Sequence, residues 1–387
     1  MSIDRGVLSL LITDPPRVEW TSFSISEWGD LLSLAQQEGV GPLLYWRLSR
    51  SGRFSVLSEG VRFGLRSLFA ASWAKNHKLF RELGTLLVPL REVGIPAVLL
   101  KGGCHALTIY PDPGLRPMGD LDLLVPKSRF LEAVQIVRSL GYVESEPEAL
   151  PGIRSLLSHE ACLVKDTVVV EIHHSLVADK SFTYAVPVDW FWEQTEPLNG
   201  QDARLHGLLM LTPSAQLLYA AAHAMLQHGG HKVPLRWEYD IDQLVRSYAD
   251  RLDWDLLLSQ ARAFAWTSAL REALSRAREY FDTPVPRDVE NQLAQTTDRH
   301  ARLVAQKQIR PVTHIHRERL KWLSLNWMGR LQMLAALVFP SPAYMRWRYG
   351  FQGHGRLPWY YLVRWAGILK GGLRTAVSTM WDETWFK

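Results

Sequence analysis

Two aspartates that stand two residues apart inside an apolar run constrain this 387-residue chain more than any other feature. Asp120 and Asp122 lie in the stretch GDLDLLV, where leucines occupy alternating positions. In an extended strand, side chains at i and i+2 project from the same face, so the leucines would face a core while both carboxylates stand on the opposite face. Because like charges held that close repel each other, the stretch indicates either a metal site or a solvated strand edge.

The segments before this strand predict a helix and then a short strand. Apolar residues recur at spacings of three and four over residues 61–93, and the helix that they predict is stopped by Gly94 and Pro96. The apolar run AVLL at 97–100 is typical of a buried strand. It leads through the glycines of KGG into a short helix that is predicted to begin at Cys104.

The segments after the aspartates predict a helix and a hairpin. SRFLEAVQIVRSLGY has the pattern of an amphipathic helix, with Ser128 as its N-cap and Gly141 as its stop. HEACLVKDTVVVEIHH alternates as two strands joined at Lys165-Asp166. Together with the preceding elements, these segments predict a small mixed α/β unit over about 77–178.

Helical patterns on both sides of this unit lead us to expect an α+β fold, in which a small mixed-sheet core is flanked by N- and C-terminal helical regions. Helices are predicted on either side of a glycine-containing break within 28–48, and again from about Thr212 onwards. The predicted divisions are an N-terminal helical region at 1–76, the core at 77–178, a helical region that closes the site at 179–300, and a basic, tryptophan-rich helical tail at 301–387.

A third carboxylate follows in the second strand of the hairpin. The alternation of VVVEIHH puts Glu171 and His173 on one face, with valine and isoleucine on the other. Clustered carboxylate oxygens suit Mg²⁺ or Mn²⁺, and two such ions can clamp the attacking and leaving oxygens of a phosphoryl displacement. If the two strands are neighbours, Asp120, Asp122 and Glu171 are predicted as catalytic residues that hold two Mg²⁺ or Mn²⁺ ions.

The junction LLKGGCHAL predicts a phosphate site next to these carboxylates. Free backbone N–H groups at a helix start favour an anion, and Gly102 and Gly103 would let a phosphate approach the backbone closely. Lys101 and Arg116 lie where their side chains could reach phosphate oxygens, so these four residues are predicted to bind a nucleoside triphosphate. In the alternative, Arg116 only pins its loop by pairing with Asp120.

In this order, the features resemble the nucleotidyltransferase superfamily typified by DNA polymerase β, with its glycine turn, D-x-D strand and later strand carboxylate. They are more closely similar to a family of uncharacterised bacterial nucleotidyltransferases, in which LKG replaces the Gly-Ser turn and R-P-x-G-D-x-D-L-L-V precedes a strand ending in E/D-x-H. The matching residues are Lys101-Gly102, the segment from Arg116 to Val125, and Glu171 with His173. The serine of the Gly-Ser turn is absent, so its phosphate contact would come from Lys101 or from backbone amides.

The resemblance covers about 76–245, where the family's downstream His and R-W-x-x-D-I segments match His223, Arg236 and Asp240. It implies that these three residues help to bind the nucleotide. It also implies a nucleotidyltransferase, which moves a nucleoside monophosphate from an NTP such as ATP to an unidentified acceptor and releases pyrophosphate.

Plainer roles are open for several of these residues. His173 is expected to be structural, and His223 on its apolar helix face is expected to be a core residue. Arg236 and Asp240 are four apart on a predicted helix, where such residues commonly pair with each other.

Two other functions fit a D-x-D strand. Glycosyltransferases that use this motif also bind a divalent ion, but several βα units usually precede the motif, whereas this chain offers one short strand. A non-catalytic module that binds a nucleotide or a partner, as an antitoxin-like protein does, would keep the fold and use the basic tail as its contact surface. Metal-dependent turnover of an NTP separates the enzyme from this module.

The charge of the chain is concentrated in its tail. The net charge is +5, yet residues 301–387 carry 14 Lys and Arg against 3 Asp and Glu and hold seven of the 16 tryptophans. This tail is expected to pack as helices or to contact phosphate groups, a membrane surface or an acidic partner. It has no recognised RNA-binding motif, so nucleic acid is not favoured as a partner.

We expect a cytoplasmic protein. The chain has two cysteines, no signal-peptide pattern and no apolar run long enough to cross a bilayer.

Overall fold

The computed structural model describes the chain at residues 3–153, 158–176, 187–198, 202–228, 233–295, 322, 325–353 and 355–382. The first part of the predicted tail, at 301–321, lies outside these ranges. Within them, no helix is long and apolar enough to cross a membrane.

Four helices precede the sheet: α1 (Arg5–Ile12), α2 (Ile25–Gln37), α3 (Gly41–Arg50) and α4 (Glu59–Glu92). Ser24 and Glu27 form a reciprocal capping box at the start of α2, which satisfies N–H groups that a helix start leaves free. The helix–break–helix predicted within 28–48 and the helix predicted over 61–93 are both confirmed.

The centre of the described structure is a mixed sheet of seven strands. The strands are β1 (Val98–Leu99), β2 (Leu121–Leu124), β3 (Val143–Glu144), β4 (Glu160–Lys165), β5 (Val168–His173), β6 (Thr195–Pro197) and β7 (Leu209–Leu211). Their order is β3-β4-β5-β2-β1-β7-β6, with β2 parallel to β5 and antiparallel to β1. The α+β fold is confirmed, and its sheet also takes in β6 and β7, which follow the predicted core boundary at 178.

Two helices pack close to the sheet, and their starts differ from prediction. Helix α5 (Lys101–Thr108) follows β1 directly, so it begins three residues earlier than predicted. Helix α6 (Phe130–Ser139) is preceded by Arg129 rather than capped by Ser128, because a 3₁₀ turn takes up the residues before it.

The predicted hairpin is present as β4 and β5, but it turns one residue later than predicted, at Asp166-Thr167. Lys165 already pairs with Val168, and Asp166 has a φ of 53°, which suits a tight hairpin turn. Counting back from this turn, Glu160 stands opposite His173.

Most of the described chain beyond the hairpin is helical. Its helices are α7 (Val188–Glu193), α8 (Pro213–Ala222), α9 (Leu235–Ser247), α10 (Trp254–Ala263), α11 (Thr267–Phe281), α12 (Arg287–Gln295), α13 (Trp327–Val338), α14 (Pro342–Tyr349) and α15 (Leu357–Asp382). A π-helical turn, His223–Gln227, continues α8. Such turns often occur at functional sites.

Alternation along β2 divides the sheet between two buried apolar clusters. Leu121 and Leu123 belong to one cluster, together with residues of α4 and α6. Leu124 belongs to the other, which joins the N-terminal helices to α8–α12. Asp122 shares the face of Leu124, so the predicted carboxylates lie on the side of the sheet that the flanking helices cover.

Candidate active site

The pairing of β2 with β5 brings two of the predicted carboxylates side by side. Asp122 and Glu171 are partners in the parallel register, so their side chains leave the sheet from the same face. Lys101 Nζ lies 2.7 Å from Asp122 Oδ1 and 3.8 Å from Glu171 Oε2. His173 Nε2 lies 2.9 Å from the same oxygen of Asp122 and 3.4 Å from Glu171 Oε2.

Lys101 is held over the carboxylates by its position between β1 and α5. Its φ of 47° is uncommon for a residue with a side chain. Leu100 N, just before it, donates to Asp122 O at 3.0 Å, which ties this corner to β2. Burial alone would lower the pKa of Lys101, but the surrounding acidic groups raise it, so the amine stays charged.

The third predicted carboxylate, Asp120, lines the same cavity just before β2 begins. Burial, followed by the charge of Asp122, raises the pKa of Asp120. Burial would also raise the pKa of Asp122, but Lys101 and His173 outweigh burial and lower it. Repulsion between the two carboxylates therefore raises the pKa of Asp120 and not that of Asp122.

These side chains suit a divalent cation. Ligand atoms of Asp122, Glu171 and His173 all lie within 4.8 Å of one another. Mg²⁺ and Mn²⁺ both bind carboxylate oxygens. A cation beside Asp120 would favour the charged carboxylate and so oppose the rise in pKa that burial and Asp122 cause. Asp120 is not part of this group of three, although it lines the cavity beside it.

His173 connects Asp122 to a second carboxylate. His173 is fully buried, and its Nδ1 lies 3.3 Å from Glu160 Oε2, which in turn lies 2.8 Å from His159 Nε2. The imidazole therefore lies between the two carboxylates, within hydrogen-bond distance of Asp122 through Nε2, while its Nδ1 makes no hydrogen bond to Glu160. The structural role expected for His173 stays a prediction, since the same imidazole belongs to the candidate group of metal ligands.

Asp240 is an anchor between the sheet region and helix α9. Arg116 Nη2 donates to Asp240 Oδ2 at 2.7 Å, and the Tyr110 hydroxyl donates to Asp240 Oδ1 at 2.7 Å. His105 Nδ1 lies 3.3 Å from Asp240 Oδ2. Burial would raise the pKa of Asp240, but Arg116 and His105 lower it.

Two pairings that the sequence left open as alternatives are not found among the described residues. Arg116 forms its ion pair with Asp240 and not with Asp120. Asp240 pairs with Arg116, which lies in a distant loop, and does not pair with Arg236, which lies one turn earlier on the same helix. The Arg116 guanidinium and the Asp240 carboxylate come together from distant parts of the chain, a pairing that local spacing along a helix does not reveal.

The two glycines of KGG have different surroundings. A Cβ on Gly102 would clash with the Arg116 guanidinium, so glycine is needed here for Arg116 to pass. A Cβ on Gly103 would meet Leu99 at 3.0 Å. Gly102 lines the cavity, whereas Gly103 packs on β1, and the phosphate contacts of both remain predictions.

The far wall of the cavity is aromatic. The rings of His223 and His228 each lie 4.8 Å from the Trp237 ring and 4.6 Å from each other. Burial lowers the pKa of His223 well below its usual range, so this imidazole is neutral. His223 is buried as predicted, but it also faces the cavity.

Two polar groups along this wall lack partners within the described ranges. The Tyr219 hydroxyl and Arg236 Nε are buried without a hydrogen-bond partner. Burial, and then the charge of Arg116, lower the pKa of Arg236. A buried polar group without a partner needs an explanation, and in a cavity a bound water or ligand can supply the partner.

Together these residues enclose a cavity of about 320 Å³. All the predicted site residues except Gly103 line it, namely Lys101, Gly102, Arg116, Asp120, Asp122, Glu171, His223, Arg236 and Asp240. The cavity thus combines carboxylates on the sheet, cations at one rim and an aromatic wall.

Several lining residues escaped the sequence analysis, among them Glu160, Tyr219, His228 and Trp237. Glu160 could have been found by counting back from a two-residue turn, which sets it opposite His173. The aromatic residues carry no comparable signal, since aromatic side chains in helices are usually core.

Comparison with known proteins gives one match. The model of a family described as "Uncharacterised nucleotidyltransferase" matches residues 24–282, about two thirds of the chain, and this span contains every site residue described above. No curated protein and no solved structure matches the chain.

Proposed function

The chain belongs to this family of uncharacterised nucleotidyltransferases, and we propose that it moves a nucleoside monophosphate from an NTP to a hydroxyl or similar nucleophile of an acceptor. The observation that carries the proposal is the register pairing of Asp122 with Glu171, beneath Lys101 and inside a cavity. The match to a nucleotidyltransferase family favours this reaction over glycosyl transfer.

The basic side chains of the cavity suit a triphosphate. Lys101 approaches from the β1–α5 corner, and Arg116 reaches the same corner from the loop before β2. Arg236 approaches from α9 with a buried Nε that has no partner in the described structure. Charge-assisted hydrogen bonds to phosphate are about twice as strong as neutral ones. We assign these three residues to the phosphates, with Gly102 leaving room for Arg116.

The aromatic wall suits the base. His223, His228 and Trp237 line the cavity and pack against one another, and stacking of a base on an aromatic side chain contributes about 1–3 kcal/mol. A neutral His223 avoids placing a further charge beside the base.

Asp120, Asp122 and Glu171 would hold two divalent cations, Mg²⁺ or Mn²⁺. When bound, such ions neutralise phosphate charge and stabilise the attacking and leaving oxygens. His173 keeps the Asp122 carboxylate in place, through the 2.9 Å contact of its Nε2.

The reaction forms a bond between the acceptor oxygen and the α-phosphorus. The bond from the α-phosphorus to the oxygen bridging the α- and β-phosphates breaks, and pyrophosphate leaves with that electron pair. Glu171, the carboxylate beside Asp122, accepts the proton of the acceptor hydroxyl. Lys101 and Arg116 stabilise the charge that builds on the phosphates.

The test is transfer of the α-phosphate label of each NTP, with Mg²⁺ or Mn²⁺, into an extract of small molecules. Asp120→Asn is compared with wild type and with Asp30→Asn, an exposed aspartate on α2. We expect turnover to fall at least 10³-fold in Asp120→Asn, as expected when charge stabilisation in the transition state is lost. Full activity in a correctly folded Asp120→Asn variant would contradict the assignment of Asp120 to the catalytic site.

A further inference from the structure

The chain between residues 319 and 381 contains nine Lys and Arg and no Asp or Glu. Its described part consists of α13, α14 and α15. A segment of this length with a single sign of charge produces a positive surface potential that attracts anionic surfaces.

Helix α15 exposes an apolar stripe. Trp359, Leu362, Val363 and Leu369 are 65%, 54%, 40% and 69% exposed. At about 100° per residue, these positions fall within one face about 120° wide. Such a stripe normally faces a core, and here it faces outwards.

Two residues that flank this stripe tie α15 to α13. Arg364 Nε donates to Leu337 O, and Trp365 Nε1 donates to Val338 O, both at 2.7 Å. These bonds satisfy carbonyls that the end of α13 leaves free. They fix the rotation of α15, so its apolar stripe does not turn inwards.

Helix α13 adds a second exposed apolar stripe. Trp327, Leu331, Leu334 and Leu337 recur at helical spacing and are between 43% and 68% exposed. An apolar groove of about 380 Å³ connects the end of α13 to α15, lined by Phe339, Leu357, Pro358, Tyr361, Leu362 and Trp365. The apolar surface is therefore continuous from one helix to the other.

We propose that α13 and α15 bind peripherally to an anionic lipid bilayer. Helices with an exposed apolar face, tryptophans and flanking basic residues lie in the membrane interface, where the apolar face enters the acyl boundary and the basic residues meet lipid phosphates. Charge complementarity decides the occupant. A second copy docking through the same helices would bring two predominantly basic surfaces together, whereas an anionic bilayer offers phosphates and apolar chains at once.

The test is co-sedimentation of the full chain with vesicles of phosphatidylcholine alone and of phosphatidylcholine mixed with phosphatidylglycerol. The variant carries Leu362→Glu and Val363→Glu on the stripe, and the control carries Phe63→Glu, at a residue 72% exposed on α4. We expect binding to the anionic vesicles, weakened by added salt because surface charges are screened. The double variant should bind at least tenfold more weakly, and the control should bind like wild type.

Three results would overturn the proposal. One is no sedimentation with anionic vesicles, and another is equal binding by the double variant and wild type. The third is self-association of the chain without lipid that the double variant abolishes, which would assign the surface to a second copy. The readout is independent of the nucleotidyl-transfer assay, so failure of either proposal leaves the other standing.

Discussion

Lys101 shows how one side chain balances the charge of the site. Its Nζ lies 2.7 Å from Asp122 and 3.8 Å from Glu171, between carboxylates that would otherwise repel each other. Under the proposed function, the carboxylates would hold divalent cations that neutralise their charge, and the Lys101 amine would then bind the phosphates of the NTP. Sequence reasoning assigned Lys101 to phosphate only, because a positive φ at Lys101 cannot be deduced from the strand–glycine–helix pattern.

A second residue, Asp240, allows a prediction about stability and pH. Its pKa is lower in the folded chain than the ordinary value of about 4, mainly because Arg116 outweighs burial, so the folded state binds fewer protons than the unfolded state. Its contribution is fully present above about pH 5 and is lost as the pH falls towards the folded pKa. We expect Asp240→Asn to lower the free energy of unfolding at pH 7 by about 3–5 kcal/mol.

Urea denaturation at pH 7 and pH 4 measures both effects. The variant should lose less stability between these two pH values than wild type does. Asp202→Asn, which removes an ion pair with Arg204 near the surface, should cost less than about 1 kcal/mol. An Asp240→Asn variant as stable as wild type at pH 7 would contradict the anchoring role.

At the scale of elements, alternation and order along the chain predicted the centre of the site. Asp122 and Glu171 could be placed on one face from period-two patterns, and the family resemblance made their strands neighbours. The Arg116–Asp240 pair could not be predicted, because 124 positions separate its members and the local alternative within α9 was simpler. Glu160 carried no motif of its own in the sequence, and the predicted turn at Lys165-Asp166 would have set it opposite Glu171 rather than His173.

The junction of β1 with α5 gives a prediction at this scale. Gly102→Ala would push Arg116 away from Asp240, because a Cβ there clashes with the guanidinium. We expect thermal denaturation to show a loss of about 1–3 kcal/mol, the usual cost of overpacking. Gly29→Ala, at an open position on α2, should be neutral or stabilising by up to about 1 kcal/mol. Equal stability of the two variants would exclude this account of Gly102.

At the scale of the whole molecule, α1, which precedes the family match, shares one apolar cluster with α11, which lies near the end of that match. The cluster contains Leu8 of α1 and Leu270 of α11, which are both fully buried. The predicted divisions at 76, 178 and 300 remain predictions. This cluster contains residues on both sides of 76 and of 178, and the sheet continues past residue 178. Sequence patterns identify apolar faces but not which distant faces meet.

Leu8→Ala tests this shared core. Truncating a buried leucine costs about 2–5 kcal/mol, and because α1 packs in the same cluster as α11, the amides of α11 should exchange faster with solvent. Hydrogen exchange followed by mass spectrometry measures this, with Leu131→Ala, at a half-exposed residue of α6, as control. Unchanged protection of α11 would show that the two ends fold separately.

The most direct test of the central claim is calorimetric titration of each NTP into the protein with Mg²⁺ or Mn²⁺. Asp122→Asn and the exposed-site control Asp30→Asn are measured beside wild type. The proposed site predicts metal-dependent binding of at least one NTP by wild type and the control, weakened at least tenfold in Asp122→Asn. Absence of NTP binding by wild type, or equal binding by a folded Asp122→Asn variant, would contradict it, and binding of UDP-sugars in place of NTPs would favour glycosyl transfer.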